Sequence, residues 1–176
     1  MEKIVVFSCT NRPNSKTLQV SRIYENILKT KGAEVRFLDF RNLPETLAFK
    51  ESFGQKTKSY EALVNEFVVQ NHKFIFVVPE YNGSFPGILK TFLDSIHPRD
   101  WADKKVCLVG VSDGRAGNLR GMEHLVGIFQ YLKTHVYYNK LPISLINKVM
   151  NEEGIFVSEE QQKVCTAQVE GFLAWK

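Results

Sequence analysis

The sequence predicts an α/β domain whose parallel sheet is covered by helices on both faces. Three observations lead there. The runs Ile4–Phe7, Phe74–Val78 and Val106–Val111 are apolar and rich in β-branched and aromatic residues without polar alternation, as strands buried on both faces are. Between them lie segments whose apolar residues recur at spacings of three and four, the period of an amphipathic helix. Strand and helix patterns alternate along the chain, which implies right-handed βαβ units rather than hairpins.

Taken in order, the strand Ile4–Phe7 ends in a polar cluster from Ser8 to Ser15, and a helix follows in which Val20, Ile23, Tyr24, Ile27 and Leu28 share a face. Gly32 suits the stop of that helix before a second strand at Val35–Phe40. Residues 41–59 mix Pro44, Ser52, Gly54 and many charges without a period, the pattern of a long surface connection. Tyr60, Leu63, Val64, Phe67 and Val68 mark the next helix, before the third strand at Phe74–Val78. Pro86 fits the first turn of a helix that carries Ile88, Leu89, Phe92, Leu93 and Ile96 and stops at His97-Pro98. The fourth strand, Val106–Val111, leads through a glycine-bearing loop to a helix through Leu119, Met122, Val126, Phe129 and Leu132. A last strand, broken or bulged around Pro142, takes up His135–Tyr138 and Ile143–Ile146, and Ser158-x-x-Gln161 is a capping-box signal for the final helix. The expectation is one domain over residues 1–176, a three-layer sandwich with a five-stranded parallel sheet in the order 2-1-3-4-5.

Composition narrows the function classes. A chain of 176 residues with 44% hydrophobic and 24% charged residues can bury a sizeable core. Its formal charge of +4 mildly favours anionic ligands and falls short of what a dedicated nucleic-acid binder carries. Cys9, Cys107 and Cys165 are odd in number and form no CxxC pair, so neither a disulfide framework nor a zinc site is expected, and they read as reduced thiols of a cytoplasmic protein. No stretch is long enough to span a bilayer. His124 and Glu123 make no metal spacing with a second histidine, so no metal is expected.

Three loops follow strands and would gather at the carboxyl edge of the sheet, where open α/β sheets bind ligands. The first, Ser8–Thr17, places Thr10, Arg12, Ser15 and Thr17 just before a helix N-terminus. Hydroxyl donors, a guanidinium and free helical N–H groups suit a phosphate, and Asn14 or Ser15 equally suits plain helix capping. The loop lacks GxxxxGK[ST] and GxGxxG, so neither a P-loop nucleotide site nor a Rossmann dinucleotide fingerprint is supported. In the second, Asn82-Gly83 permits positive φ beside Tyr81, so backbone can approach a flat ligand closely. The third, Ser112–Asn118, adds two glycines and further backbone donors. Each glycine can also serve only a turn, and Tyr81 and Phe85 can simply pack.

These residues resemble a known family. Thr10-x-Arg12-x-x-Ser15, the run Pro79-Glu80-Tyr81-Asn82-Gly83-Ser84-x-Pro86-Gly87-x-Leu89-Lys90 and the Ser112–Asn118 loop look like the NADPH-dependent FMN reductases, which include quinone, azo-dye and chromate reductases. The likeness runs from the first strand to about Leu132, and its most specific part is the Pro-Glu-Tyr-Asn-Gly-Ser run. The resemblance implies a flavodoxin-like fold, bound FMN, NADPH or NADH as co-substrate, a small-molecule electron acceptor, and a homodimer or homotetramer. It implies that Thr10, Arg12, Ser15 and Thr17 hold the phosphate, that Pro79, Glu80, Tyr81, Asn82 and Gly83 border the isoalloxazine, and that Ser112 and Gly114 approach its pyrimidine edge. The sequence departs from the family at Cys9, where glycine is usual, and Phe85 takes a variable position.

With FMN the flavin carries the chemistry and no catalytic side chain is required. Hydride would pass from NAD(P)H to flavin N5, and a quinone, flavin or azo acceptor would then use the same site, giving ping-pong kinetics. Three other readings stand beside this one. An electron carrier would bind FMN without oxidising NAD(P)H, although such carriers usually have acidic docking surfaces. A degenerate flavin-binding regulatory module is a second. The third is a serine hydrolase, because Gly110-Val111-Ser112-Asp113-Gly114 matches the G-x-S-x-G elbow, although after Ser112 only His124 and His135 are available to serve as base.

Overall fold

The computed structural model describes residues 2–176. Its sheet contains β1 (Lys3–Ser8), β2 (Glu34–Asp39), β3 (Lys73–Pro79), β4 (Lys105–Val111), β5 (His135–Val136) and β6 (Leu141–Ile143). The helices are α1 (Lys16–Thr30), α2 (Lys58–Val64), α3 (Gly87–Asp94), α4 (Leu119–Tyr131), the short α5 (Ile146–Val149) and α6 (Glu159–Ala174). Strand order is β2-β1-β3-β4-β5 with every pairing parallel, the expected topology.

The final strand differs from expectation in where it breaks. β5 and β6 both pair with β4, at its start and its end, so they fill one sheet position in two pieces. The break falls at Tyr137–Lys140, while Pro142 lies inside β6 opposite Gly110. On the sheet edge its missing N–H interrupts no inner ladder. Residues 41–59 are also more than a surface connection. They hold a π-helical turn, Leu47–Glu51, which buries Leu47 and Glu51, and the Glu51 carboxylate accepts the Thr57 N–H at 2.8 Å and hydroxyl at 3.0 Å. The capping box of α6 forms by half: Ser158 Oγ accepts the Glu160 N–H, while Gln161 reaches toward Cys165.

Strand alternation sends side chains to two cores, one on each face of the sheet. Val5, Phe7, Phe74 and Phe76 face α3 and α4, where Phe40, Phe92, Trp101 and Phe129 complete an aromatic cluster with centroids 4.8–6.4 Å apart. Ile4, Val6, Ile75 and Val77 face α1 and α6, packing on Tyr24, Leu28, Val169 and Phe172. Burial on both faces accounts for the absence of polar alternation. The chain leaves β1 toward β2 on one side while β3 lies on the other, so the topological switch point falls between β1 and β3.

Candidate active site

The carboxyl ends of β1, β3 and β4 lie in register, with Ser8 opposite Val77 and Pro79 opposite Val111, so the loops after them emerge side by side. They enclose a cleft of about 330 Å³ lined by Arg12, Ser15, Lys16, Thr17, Pro79, Glu80, Tyr81, Ser112, Asp113 and Asn147. Of the residues expected at the site, Arg12, Ser15, Thr17, Pro79, Glu80, Tyr81 and Ser112 meet here; Thr10, Asn82, Gly83 and Gly114 lie just behind or beside the lining.

Each loop is held by identifiable bonds. Cys9 N–H extends the ladder to the Val77 carbonyl at 3.0 Å, and Cys9 does not have positive φ, so a side chain is accommodated where the family has glycine. The thiol is fully buried, and burial pushes it well above the ordinary thiol range. A thiol kept protonated is a poor redox centre, so Cys9 is a packing residue. Thr10 is 1% exposed and turns inward: its Oγ1 meets the Tyr81 hydroxyl at 2.7 Å and accepts the Arg12 N–H at 3.1 Å. It therefore ties the first loop to the second. Ser15 is the N-cap of α1, accepting the Leu18 N–H at 3.2 Å, with its own hydroxyl hydrogen left to donate.

In the second loop Asn82 (φ 52°) and Gly83 (φ 76°) form a two-residue reversal closed by Tyr81 N–H to Ser84 O at 2.9 Å and Ser84 N–H to Tyr81 O at 3.1 Å. Ser84 N–H is thereby used, which leaves the N–H groups of Asn82 and Gly83 as the donors of this turn. Ser84 Oγ also pairs with His124 Nδ1 at 2.9 Å, fastening the turn to α4.

In the third loop Gly114 N–H donates to Ser112 Oγ at 2.9 Å and Gly114 O accepts from Leu145 N–H at 3.1 Å, so its backbone serves the loop itself. Ser112 has none of a nucleophile's surroundings. No helix starts at it, its hydroxyl accepts from Gly114, and the histidine on α4 bonds Ser84 instead. Gly110 and Gly117 are required by contact: a Cβ on Gly110 would lie 2.1 Å from the Gly117 carbonyl oxygen.

Lys16, Asp113, Ile146 and Asn147 were not singled out by the sequence. Asp113 and Lys16 neighbour predicted residues, but Ile146 and Asn147 reach the cleft only because β6 delivers them there. The donor set suits FMN. Arg12, the Ser15 hydroxyl and the start of α1 suit a phosphate at one end, and the Asn82-Gly83 backbone suits the carbonyl and nitrogen edge of a flat ring.

The chain is similar to proteins of a known family. Residues 2–147 match the NADPH-dependent FMN reductase family. The chain is 30% identical over 142 residues to the NAD(P)H:quinone oxidoreductase of Solanum tuberosum, covering 75% of this chain and 70% of that protein. It is 26% identical over 145 residues to the 2-hydroxy-1,4-benzoquinone reductase of a Burkholderia species, covering 79% of this chain and 77% of the other. The fold superposes with a TM-score of 0.83 on FerB, a flavoenzyme NAD(P)H:(acceptor) oxidoreductase from Paracoccus denitrificans, at 17% identity and over 99% and 97% of the two chains. The order of the parallel strands, the three loops of the cleft and the match over residues 2–147 together show that the chain belongs to the NADPH-dependent FMN reductase family.

Proposed function

We propose that the 176-residue chain works as one FMN-binding domain, an NAD(P)H-dependent reductase of quinones, flavins, azo compounds or similar planar acceptors. The observation that carries this reading is the convergence, in one cleft of a chain of this family, of the α1 N-terminus and Arg12 with Tyr81, the residue that opens the Asn82-Gly83 turn. The chemistry FMN supplies when bound is hydride acceptance from NAD(P)H followed by electron delivery to the acceptor, in two half-reactions that use one site in turn.

The protein binds and orients. Arg12, Ser15 and Thr17 would hold the phosphate, where the helix dipole and the free N–H groups of the first turn favour an anion. Pro79, Glu80 and Tyr81, which follow β3 into the cleft lining, would border the ring, and Ser112 lines the cleft just after β4. The N–H groups of Asn82 and Gly83, which the closed turn leaves without a partner inside it, would be the donors offered to the electron-rich edge of the ring. The three cysteines are buried and unpaired, in keeping with a cytoplasmic setting, and no described helix is long and apolar enough to cross a membrane.

The active form is proposed to be a homodimer joined through a second, larger depression of about 570 Å³ between α3 and α4, lined by Phe53, Leu93, Ile96, Ile128, Tyr131 and Leu132. Phe53 and Tyr131, which line it, are 87% and 83% exposed. Rings of this kind offer ~150–250 Å² each, which goes far toward the roughly 800 Å² per partner of a stable interface. His124 lines the depression and bonds Ser84, so the interface adjoins the ring-binding turn.

The test is a visible spectrum of the purified protein followed by anaerobic titration with NADPH and with NADH. A yellow protein that bleaches with either nucleotide and regains colour with a quinone is expected. Protein loaded with FMN that bleaches with neither nucleotide would overturn the reading.

A further inference from the structure

We propose that Lys16 is a phosphate-selecting residue of the cleft, a second cation beside Arg12 supported by the C-terminal hairpin, which makes the site prefer FMN to riboflavin. This rests on the FMN reading above and adds to it a residue outside the motif that defines the first loop.

Lys16 is half-buried and lines the cleft, and its Nζ donates to the Asn151 carbonyl at 2.8 Å. That carbonyl occupies one of three ammonium hydrogens and adds no charge, so two donors and the full positive charge remain. Among the described residues no carboxylate pairs with Lys16 or Arg12, whereas Lys29 and Arg22 on the same helix both bind Glu25. Two cations without acidic partners therefore stand at one end of the cleft. The two acidic residues in its lining, Glu80 and Asp113, come from the loops that follow β3 and β4. This polarity orients an anionic ligand with its phosphate toward α1.

The hairpin that carries Asn151 is locked by its own bonds. Asn151 N–H donates to Ile155 O at 2.9 Å, Asn151 Oδ1 accepts the Ile155 N–H at 2.8 Å, and Gly154 has φ +81° against the Gln19 side chain. An ammonium fixed by such a carbonyl loses less rotamer freedom when a phosphate arrives than a free surface lysine does. The hairpin lies beyond residues 2–147 of the family match, so this support belongs to the C-terminal part of the chain.

The experiment is titration of the apo protein with FMN and with riboflavin, followed by flavin fluorescence, for wild type, Lys16→Ala, Lys16→Arg and Gly154→Val. A lost charge-assisted contact should cut FMN affinity by about tenfold or more. Riboflavin affinity should change less than twofold, Lys16→Arg should recover most of the FMN preference, and Gly154→Val, which strains the hairpin, should lose part of it. The proposal is overturned if Lys16→Ala keeps the wild-type ratio of FMN to riboflavin affinity, or loses both ligands equally. Wild type that binds riboflavin and FMN alike refutes phosphate selection while leaving flavin binding intact. Wild type that binds neither refutes the cofactor reading itself.

Discussion

Thr10 Oγ1 joins two loops of the cleft, and its removal should be felt as a coupled loss. The Thr10→Val substitution keeps the shape of the side chain while removing both the 2.7 Å contact to Tyr81 and the 3.1 Å acceptor for the Arg12 N–H. A neutral hydrogen bond contributes ~0.5–1.5 kcal/mol net, and water can reach Tyr81 and Arg12, so a loss of about 1–2 kcal/mol is expected. Tyr81→Phe removes only the shared contact and leaves Thr10 with its Arg12 donor, so about 1 kcal/mol is expected. Combined in one chain, the two changes should cost little more than Thr10→Val alone, giving a coupling near ~1 kcal/mol. Urea unfolding of the apo protein measures this without any cofactor, provided the m-values agree across the four proteins. FMN affinity of Thr10→Val should fall several-fold, because the Arg12 backbone loses its anchor. Single-variant losses that add to within ~0.3 kcal/mol would refute the claim that the two hydroxyls hold the loops together.

Three further outcomes follow from the same structure. Cys9, Cys107 and Cys165 are all buried, so a thiol reagent such as DTNB should label the native protein slowly and accelerate sharply with denaturant; fast labelling of Cys9 would revive a redox role for it. Gly110→Ala sets a Cβ against the Gly117 carbonyl, a backbone atom that cannot swing away, and should destabilise by about 3 kcal/mol or more in thermal or urea melts. Lys104 donates to the carbonyls of Val68, Val69 and Asn71, and burial pulls its ammonium down to about 8. The unfolded chain then binds more protons than the folded one between about 8 and the ordinary lysine value, so this group's contribution to stability rises with pH across that window. Comparing wild type with Lys104→Met in urea from pH 7.5 to 10 should show the wild type gaining relative to the variant; a flat difference would contradict the burial effect.

Much of this was readable from periodicity and punctuation. The uninterrupted apolar runs at β1, β3 and β4 marked strands covered on both sides, and Gly32 and Asn82-Gly83 take the positive φ their residue types suit. The loops that carry the cleft were legible because each follows such a strand. Less legible was the direction of individual side chains. Thr10 reads as a phosphate ligand from its place in the loop, yet it points to Tyr81, seventy-one residues away in sequence. The backbone of Gly114 is spent within its own loop on Ser112 and Leu145. Residues 41–59 read as surface because their burial comes from single residues, Leu43, Leu47 and Glu51, with no repeating period to betray them.

By itself, then, the sequence determined the alternation of strands and helices, the sheet they form, the place of the cleft at its carboxyl edge and the family to which the chain belongs, because these depend on local patterns and on a long contiguous run of site residues. Tertiary structure decided which polar groups are free and which are already used. It turned Thr10 inward, buried Cys9 beyond reach of redox chemistry, denied Ser112 a base, and brought the Asn151 carbonyl to Lys16. The reason is physical. A hydrogen bond or a buried charge is settled by atoms that meet in space, and in this fold the deciding partners come from strands and hairpins far apart along the chain.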